Sequence, residues 1–278
     1  MFGSDYGADG WATVEQVDEL AHHLGLAPGR RLLDIGTGRG WPGLYLVQTT
    51  GCTAVLTDQT NDGLGDAVAR AGSDGVTKPI LAIAATALTL PFRSSSFDAV
   101  VHTDVLCCLR PKLGVLRETR RLLRPGGRTA FFVIHLAPQL SPQQRRQAVD
   151  AGPPAVATRS RSYVSLLSSA GFVDVDQIDV TATYAQTQRT WLHHAHGLAG
   201  ELAATEPPGA FAQRVDDHIA AADAVDQGLL RRSLLVARRP TRSRGGRLSS
   251  AVRQPVDERR QAPVRGGHGC CHKQQRNG

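Results

Sequence analysis

Residues 34–40 read Asp-Ile-Gly-Thr-Gly-Arg-Gly, with three glycines at alternate positions behind an acid. Glycines so spaced permit positive φ and let a ligand lie against bare backbone. The preceding residues, Arg31–Ile35, form a short apolar run, so the turn falls at the carboxyl end of a strand, where open α/β sheets bind ligands. A second acid, Asp58, closes another apolar run 24 residues after Asp34, followed by Gln59. A carboxylate there suits hydrogen bonds from both hydroxyls of a ribose. His102, Asp104 and His135 stand at the ends of two further apolar runs. A histidine titrating near neutrality, or a carboxylate, suits proton removal from a phenol, amine or hydroxyl.

Two cofactor chemistries compete for the glycine turn. A dinucleotide offers an anionic pyrophosphate to the next helix N-terminus. S-adenosylmethionine offers an ammonium, a carboxylate and a sulfonium, with no phosphate. Asp34 beside the turn repels the first and attracts the second, by about 4 kcal/mol for a unit charge at ~4 Å and an effective dielectric near 20. The register agrees. Counted from Gly36, the third glycine of G-x-G-x-x-G falls on Trp41, and the match at Gly38, Gly40 and Gly43 starts three residues beyond Ile35.

The elements that must position these residues alternate. Apolar runs at 31–35, 53–58, 79–84, 97–103 and 128–135 read as strands; 11–26, 41–47, 61–71 and 111–123 read as helices, the last with solvent-facing arginines and stopped by Pro125-Gly126-Gly127. Strands apolar on both faces between helices predict a parallel sheet covered on both sides. Helical stretches follow at 141–151, 162–170, 184–204 and 211–227, with strands at 172–183 and 232–237. The region 138–227 interrupts the sheet before its last strand and is expected to cap the site, with Tyr163, Tyr184 and Trp191 as candidate pocket aromatics and Tyr6 and Trp11 leading the first helix toward the cofactor.

Together RRLLDIGTGRG (30–40), TAVLTD (53–58), LTLPFRSSSFDAVVHTDVLCCL (88–109), RETRRLLRPGGRTAFFVI (117–134), YVSLLSSAGFVDV (163–175) and SLLVARR (233–239) resemble the class I S-adenosylmethionine-dependent methyltransferases of small-molecule type. The resemblance implies a Rossmann-like, doubly wound α/β sheet of seven strands, mostly parallel with the last antiparallel, bearing a helical cap insert. It implies that Asp34, Gly36, Thr37, Gly38 and Gly40 form the methionine-side loop, with Asp58 and Gln59 at the ribose. Thr86 and Ala87 occupy the adenine position and His102 the cofactor shell. Catalysis would fall to positioning, with His135, Asp104 or His102 as base where the acceptor must lose a proton. Cys107 and Cys108, where the family often shows a His pair, read as packing residues at a helix start.

The rest of the chain narrows the function. Residues 1–239 carry 23 basic and 23 acidic side chains, and residues 240–278 carry 9 and 2, so the whole net charge of +7 lies in the tail. A neutral body offers no phosphate footprint, which disfavours nucleic-acid modification, and the tail composition predicts disorder. No apolar run is long enough to span a bilayer. Five cysteines without framework spacing read as reduced thiols, and a cytoplasmic protein is expected, with room for a homodimer. His193 and His196 share a helix face but lack a third ligand, and His268, Cys270, Cys271 and His272 resemble a metal tract only in composition, so no metal is expected. The main alternative is an S-adenosylmethionine-binding protein without transferase activity. A nicotinamide oxidoreductase is disfavoured by Asp34 and Trp41.

Overall fold

A computed structural model describes residues 10–157 and 162–241. The tail beyond 241, with its Cys/His tract, and Tyr6 lie outside the described residues. The strands are β1 (Arg31–Ile35), β2 (Thr53–Asp58), β3 (Ile80–Ala84), β4 (Phe97–Thr103), β5 (Leu123–Leu136), β6 (Val173–Asp179) and β7 (Leu230–Arg238). They form one sheet in the order β3-β2-β1-β4-β5-β7-β6. β1 to β5 pair in parallel, and β7 enters antiparallel between β5 and β6. The expected seven-stranded, mostly parallel sheet is observed.

The helices are α1 (Val14–Leu24), α2 (Gly43–Thr50), α3 (Asn61–Ser73), α4 (Lys112–Leu122), α5 (Pro142–Ala151), α6 (Tyr163–Ala170), α7 (Thr181–Gly197), α8 (Ala199–Ala204) and α9 (Ala210–Asp226). Caps set their ends. Thr13 and Ser141 open α1 and α5 with reciprocal capping boxes, and left-handed Gly25, Gly51 and Gly171 close α1, α2 and α6. Alternation along the strands divides the core into two layers. Leu33, Val100, Phe131 and Val133 pack with α4 and α6, while Leu32, Leu56, Val101 and Phe132 pack with α1, α2 and α3.

Three expectations need correcting. Helix α4 ends at Leu122 because Leu123 already pairs with Phe97; Pro125-Gly126-Gly127 forms an irregularity within β5 instead of the helix stop. The α4 arginines do not all face solvent. Arg120 Nε donates to Gly171 O at 2.9 Å, and Arg121 donates to Phe92 O at 2.7 Å and Leu90 O at 3.1 Å. Finally, residues 138–227 are not one cap. Helix α6 and strand β6 return to the sheet, leaving α5 and α7 to α9 as the added layer, and the helix expected over 184–204 breaks at Leu198.

The Arg121 contacts also explain why the LPF and RETRRLLRPGG stretches belong together. Glu118 Oε1 accepts from Leu90 N at 2.8 Å, and Arg121 forks onto both Glu118 oxygens at 2.7 Å each. The Arg121 hydrogen bonds hold the Glu118 carboxyl below the usual range. One ion pair on α4 thus latches the loop that leads from β3 into β4.

Candidate functional site

The glycine loop leaves β1 by crossing over β2, with Gly36 N and Thr37 N both donating to Thr57 O at 2.7 and 3.1 Å. Gly36, Gly38 and Gly40 adopt φ of 70°, 52° and 101°. At Gly36 freedom of φ is only half the requirement, because an added Cβ would lie 2.5 Å from Val105 Cγ2. Gly38 N donates to Asp58 Oδ2 at 2.9 Å, and the other Asp58 oxygen accepts from Thr60 N at 3.1 Å. Ala85 N donates to Asp58 O at 2.7 Å, drawing the segment after β3 alongside. Gly36, Gly38, Asp58, Gln59, Thr86 and Ala87 therefore gather at the carboxyl ends of β1 to β3, half-buried or exposed.

Asp34 has a structural part besides the one its charge suggests. Its side chain is fully buried, and Oδ2 accepts from Thr37 Oγ1 at 2.8 Å and Gly43 N at 3.0 Å. It ties the glycine loop to the first turn of α2. Thr37, also fully buried, points the same way. The electrostatic preference survives. The loop's one cation, Arg39, pairs with Asp66 at 3.0 Å with both side chains 57% exposed. Bare glycine backbone, a carboxylate at the β2 end and a loop cation already paired fit S-adenosylmethionine.

Of the three candidate bases one is sealed in the core and two have other partners. His102 points into the layer beneath α4 and α6, stacked on Phe131 at 4.3 Å and 1% exposed. Neither ring nitrogen finds a partner, and burial pushes its pKa down to about 3. It is a neutral core histidine, closed to substrate. His135 lies on the same face of the sheet by strand alternation. Its Nδ1 meets Leu136 O at 3.0 Å and so carries the proton, leaving Nε2 to accept from Ser233 Oγ at 2.8 Å. Burial lowers its pKa too. Asp104, left-handed at φ 55°, forms a two-point ion pair with Arg232, Nε to Oδ1 at 3.0 Å and Nη2 to Oδ2 at 2.7 Å. Both side chains are essentially inaccessible.

Arg232 was not among the residues singled out from sequence. Its signal was present, since it shares one strand face with Leu234 and Val236, where an arginine must be paired to be buried. Cys107 packs fully buried, as read, but in a short 3-10 turn; its thiol donates to Asp104 O at 3.0 Å. Lys112 closes the same turn, donating to Leu106 O, Leu109 O and Ala155 O at 2.6 to 2.9 Å, and burial lowers its pKa to about 8.

Beside this turn lies a small pocket walled by Trp11, Ile134, Pro153, Tyr184, Asp217 and His218 among others. Trp11 meets Tyr184 and His218 edge to face at 5.6 and 5.0 Å. Of the expected aromatics, Tyr184 and Trp11 reach the pocket, Trp191 packs behind on His218, and Tyr163 sits beneath the sheet. His218, unremarked in sequence, comes from α9. His193, His194 and His196 are exposed, and among the described residues no group of three candidate ligands could hold a metal. Nor, among them, is any helix long and apolar enough to cross a membrane.

Comparison with known proteins places this geometry. Residues 33–131 match the family model described as a methyltransferase domain. The chain is 30% identical over 193 residues to 27-O-demethylrifamycin SV methyltransferase of Amycolatopsis mediterranei, covering 68% of this chain and 70% of that one. It is 31% identical over 123 residues to methyltransferase GfsG of Streptomyces halstedii, a match that spans 44% of each protein. Phosphoethanolamine N-methyltransferase 2 of Haemonchus contortus, solved with S-adenosyl-L-methionine, superposes with a TM-score of 0.73 at 16% identity, over 85% of this chain and 55% of that one.

Proposed function

The chain belongs to the class I S-adenosylmethionine-dependent methyltransferases, and from that premise we propose that it moves a methyl group from S-adenosylmethionine to a small-molecule acceptor. The observation that carries the reading is the half-buried carboxylate of Asp58 bonded to Gly38 N beside a glycine loop whose one cation, Arg39, pairs with Asp66. Gly36 to Gly40 would take the methionine end, Asp58 the ribose, and the exposed Thr86 with Ala87 the adenine edge. The bound cofactor supplies an electrophilic methyl group.

The chain's own contribution is positioning. His102 is sealed, His135 spends both nitrogens on the protein, and Asp104 is paired with Arg232. None is left to remove a substrate proton, so the transfer draws on alignment and exclusion of water. The acceptor we infer is a molecule with an apolar body that carries no negative charge, because among the described residues the pocket wall is mostly aromatic and aliphatic, with Asp217 its one acid and no Lys or Arg. A cytoplasmic location goes with this reading, supported by the unbridged Cys52, Cys107 and Cys108.

Calorimetry with S-adenosylmethionine, S-adenosylhomocysteine and NADH tests the cofactor; binding of NADH alone sinks the proposal. Donor consumption against a panel of neutral and anionic acceptors tests the rest. Cofactor binding with no turnover on any panel member favours a non-transferase role.

A further inference from the structure

Arg232 does more than neutralise Asp104. Its remaining nitrogen, Nη1, donates to Trp11 O at 3.2 Å and to Gln16 Oε1 at 3.1 Å. The guanidinium also lies over Phe132 at 4.4 Å and Tyr184 at 5.6 Å. Three of these partners, Asp104, Trp11 and Tyr184, connect to the site. Asp104 holds the left-handed start of the turn after β4, and the next residue, Val105, packs against Gly36 of the cofactor loop. Trp11 and Tyr184 wall the pocket, and Gln16 belongs to α1.

We propose that Arg232 is the positioning residue for the transfer, one guanidinium fixing both the turn that supports the cofactor loop and the wall that shapes the acceptor pocket. The inference rests on the reading of the glycine loop as the cofactor site. A buried ion pair is weak evidence for stability, since well-packed apolar replacements are often neutral or better. Apolar residues cannot supply the donations to Trp11 and Gln16. Lysine cannot supply them together with a two-point carboxylate contact, because its donors sit on one nitrogen. The coupling therefore separates from the fold.

Hydrogen exchange on the full chain tests this, with S-adenosylhomocysteine as the probe and the double variant Asp104→Leu, Arg232→Met as the comparison. In the wild type the probe is expected to slow exchange across Val14–Leu24 by about fivefold or more. In the double variant the probe should bind within about threefold of wild type, with exchange in that helix no longer responding. Arg232→Lys should fail to restore the response. If the double variant does not fold, Gln16→Met, which leaves the ion pair intact, should weaken the same response more than Thr13→Ala, which disturbs only the α1 cap. A response undiminished in the variant that folds overturns the inference, as does a wild type that binds the probe with no change in α1. A wild type that does not bind the probe overturns the cofactor reading itself, and this inference with it.

Discussion

The two ends of the proposed site are built on different scales of the chain. At the cofactor end, Asp34, Gly36, Gly38, Asp58 and Thr60 are joined by bonds spanning no more than 23 residues. At the acceptor end, Arg232 reaches Asp104 across 128 residues and Trp11 across 221. The near end is made of backbone, which tolerates any neighbour that leaves the glycines bare. The far end is made of side chains whose placement depends on the whole sheet having its strand order. A local motif thus announces the donor, and only the assembled fold announces what holds the acceptor's wall.

The sharpest way to break this contrast is at the far end. Arg232→Met alone leaves Asp104 buried without a partner and should cost about 3–5 kcal/mol in urea unfolding, most of it recovered by adding Asp104→Leu. A single variant as stable as wild type would erase the distinction. Next is His102. Its folded pKa of about 3 lies below the ordinary 6.5, so its neutral form supports the fold above pH 6.5 and that support is lost as pH falls toward 3. The loss should approach about 1.4 kcal/mol per pH unit within that window. His102→Phe should flatten the acid limb of the stability profile; an unchanged slope would mean the ring is hydrated.

The near end predicts a smaller, more selective effect. Gly36→Ala forces an alanine into φ 70° against Val105 and should cost about 1–2 kcal/mol while weakening S-adenosylhomocysteine binding. Gly25→Ala, at φ 63° with open space around it, is the control: comparable strain with binding unchanged. The smallest effect is expected at His135. With both nitrogens committed to Leu136 and Ser233, His135→Asn should leave donor consumption near wild type, whereas abolished turnover in a folded variant would restore it as the base.

Legibility in the sequence followed the same division. β1, β2 and β4 fall on their apolar runs residue for residue, and the glycine loop and Asp58 lie where their spacing puts them. The base candidates were a different matter. Chain position puts His102 and His135 at strand ends, but strand alternation turns both rings under the sheet. Which face of a strand is the deep one depends on helices elsewhere in the chain, α4 and α6 among them. Asp104 looked available because its partner lies on β7, and no local pattern announces a contact of that span. Asp34 shows a subtler case: its charge and loop are read from sequence, but its tie to Thr37 and Gly43, bracing the turn, is not.

The insertion of β7 between β5 and β6 bears on how the molecule is made. As the chain emerges during synthesis, residues 10–157 can assemble β1 to β5 with every parallel pairing satisfied. The outer edge of β5 then stays open until residues 230–238 arrive to fill it, and β6 has no neighbour of its own before that moment. Until then Asp104 has no counter-ion. The closing strand therefore brings the sheet's last pairings and the arginine together, so a nascent chain halted short of residue 230 would expose a long unpaired edge and a buried acid at once.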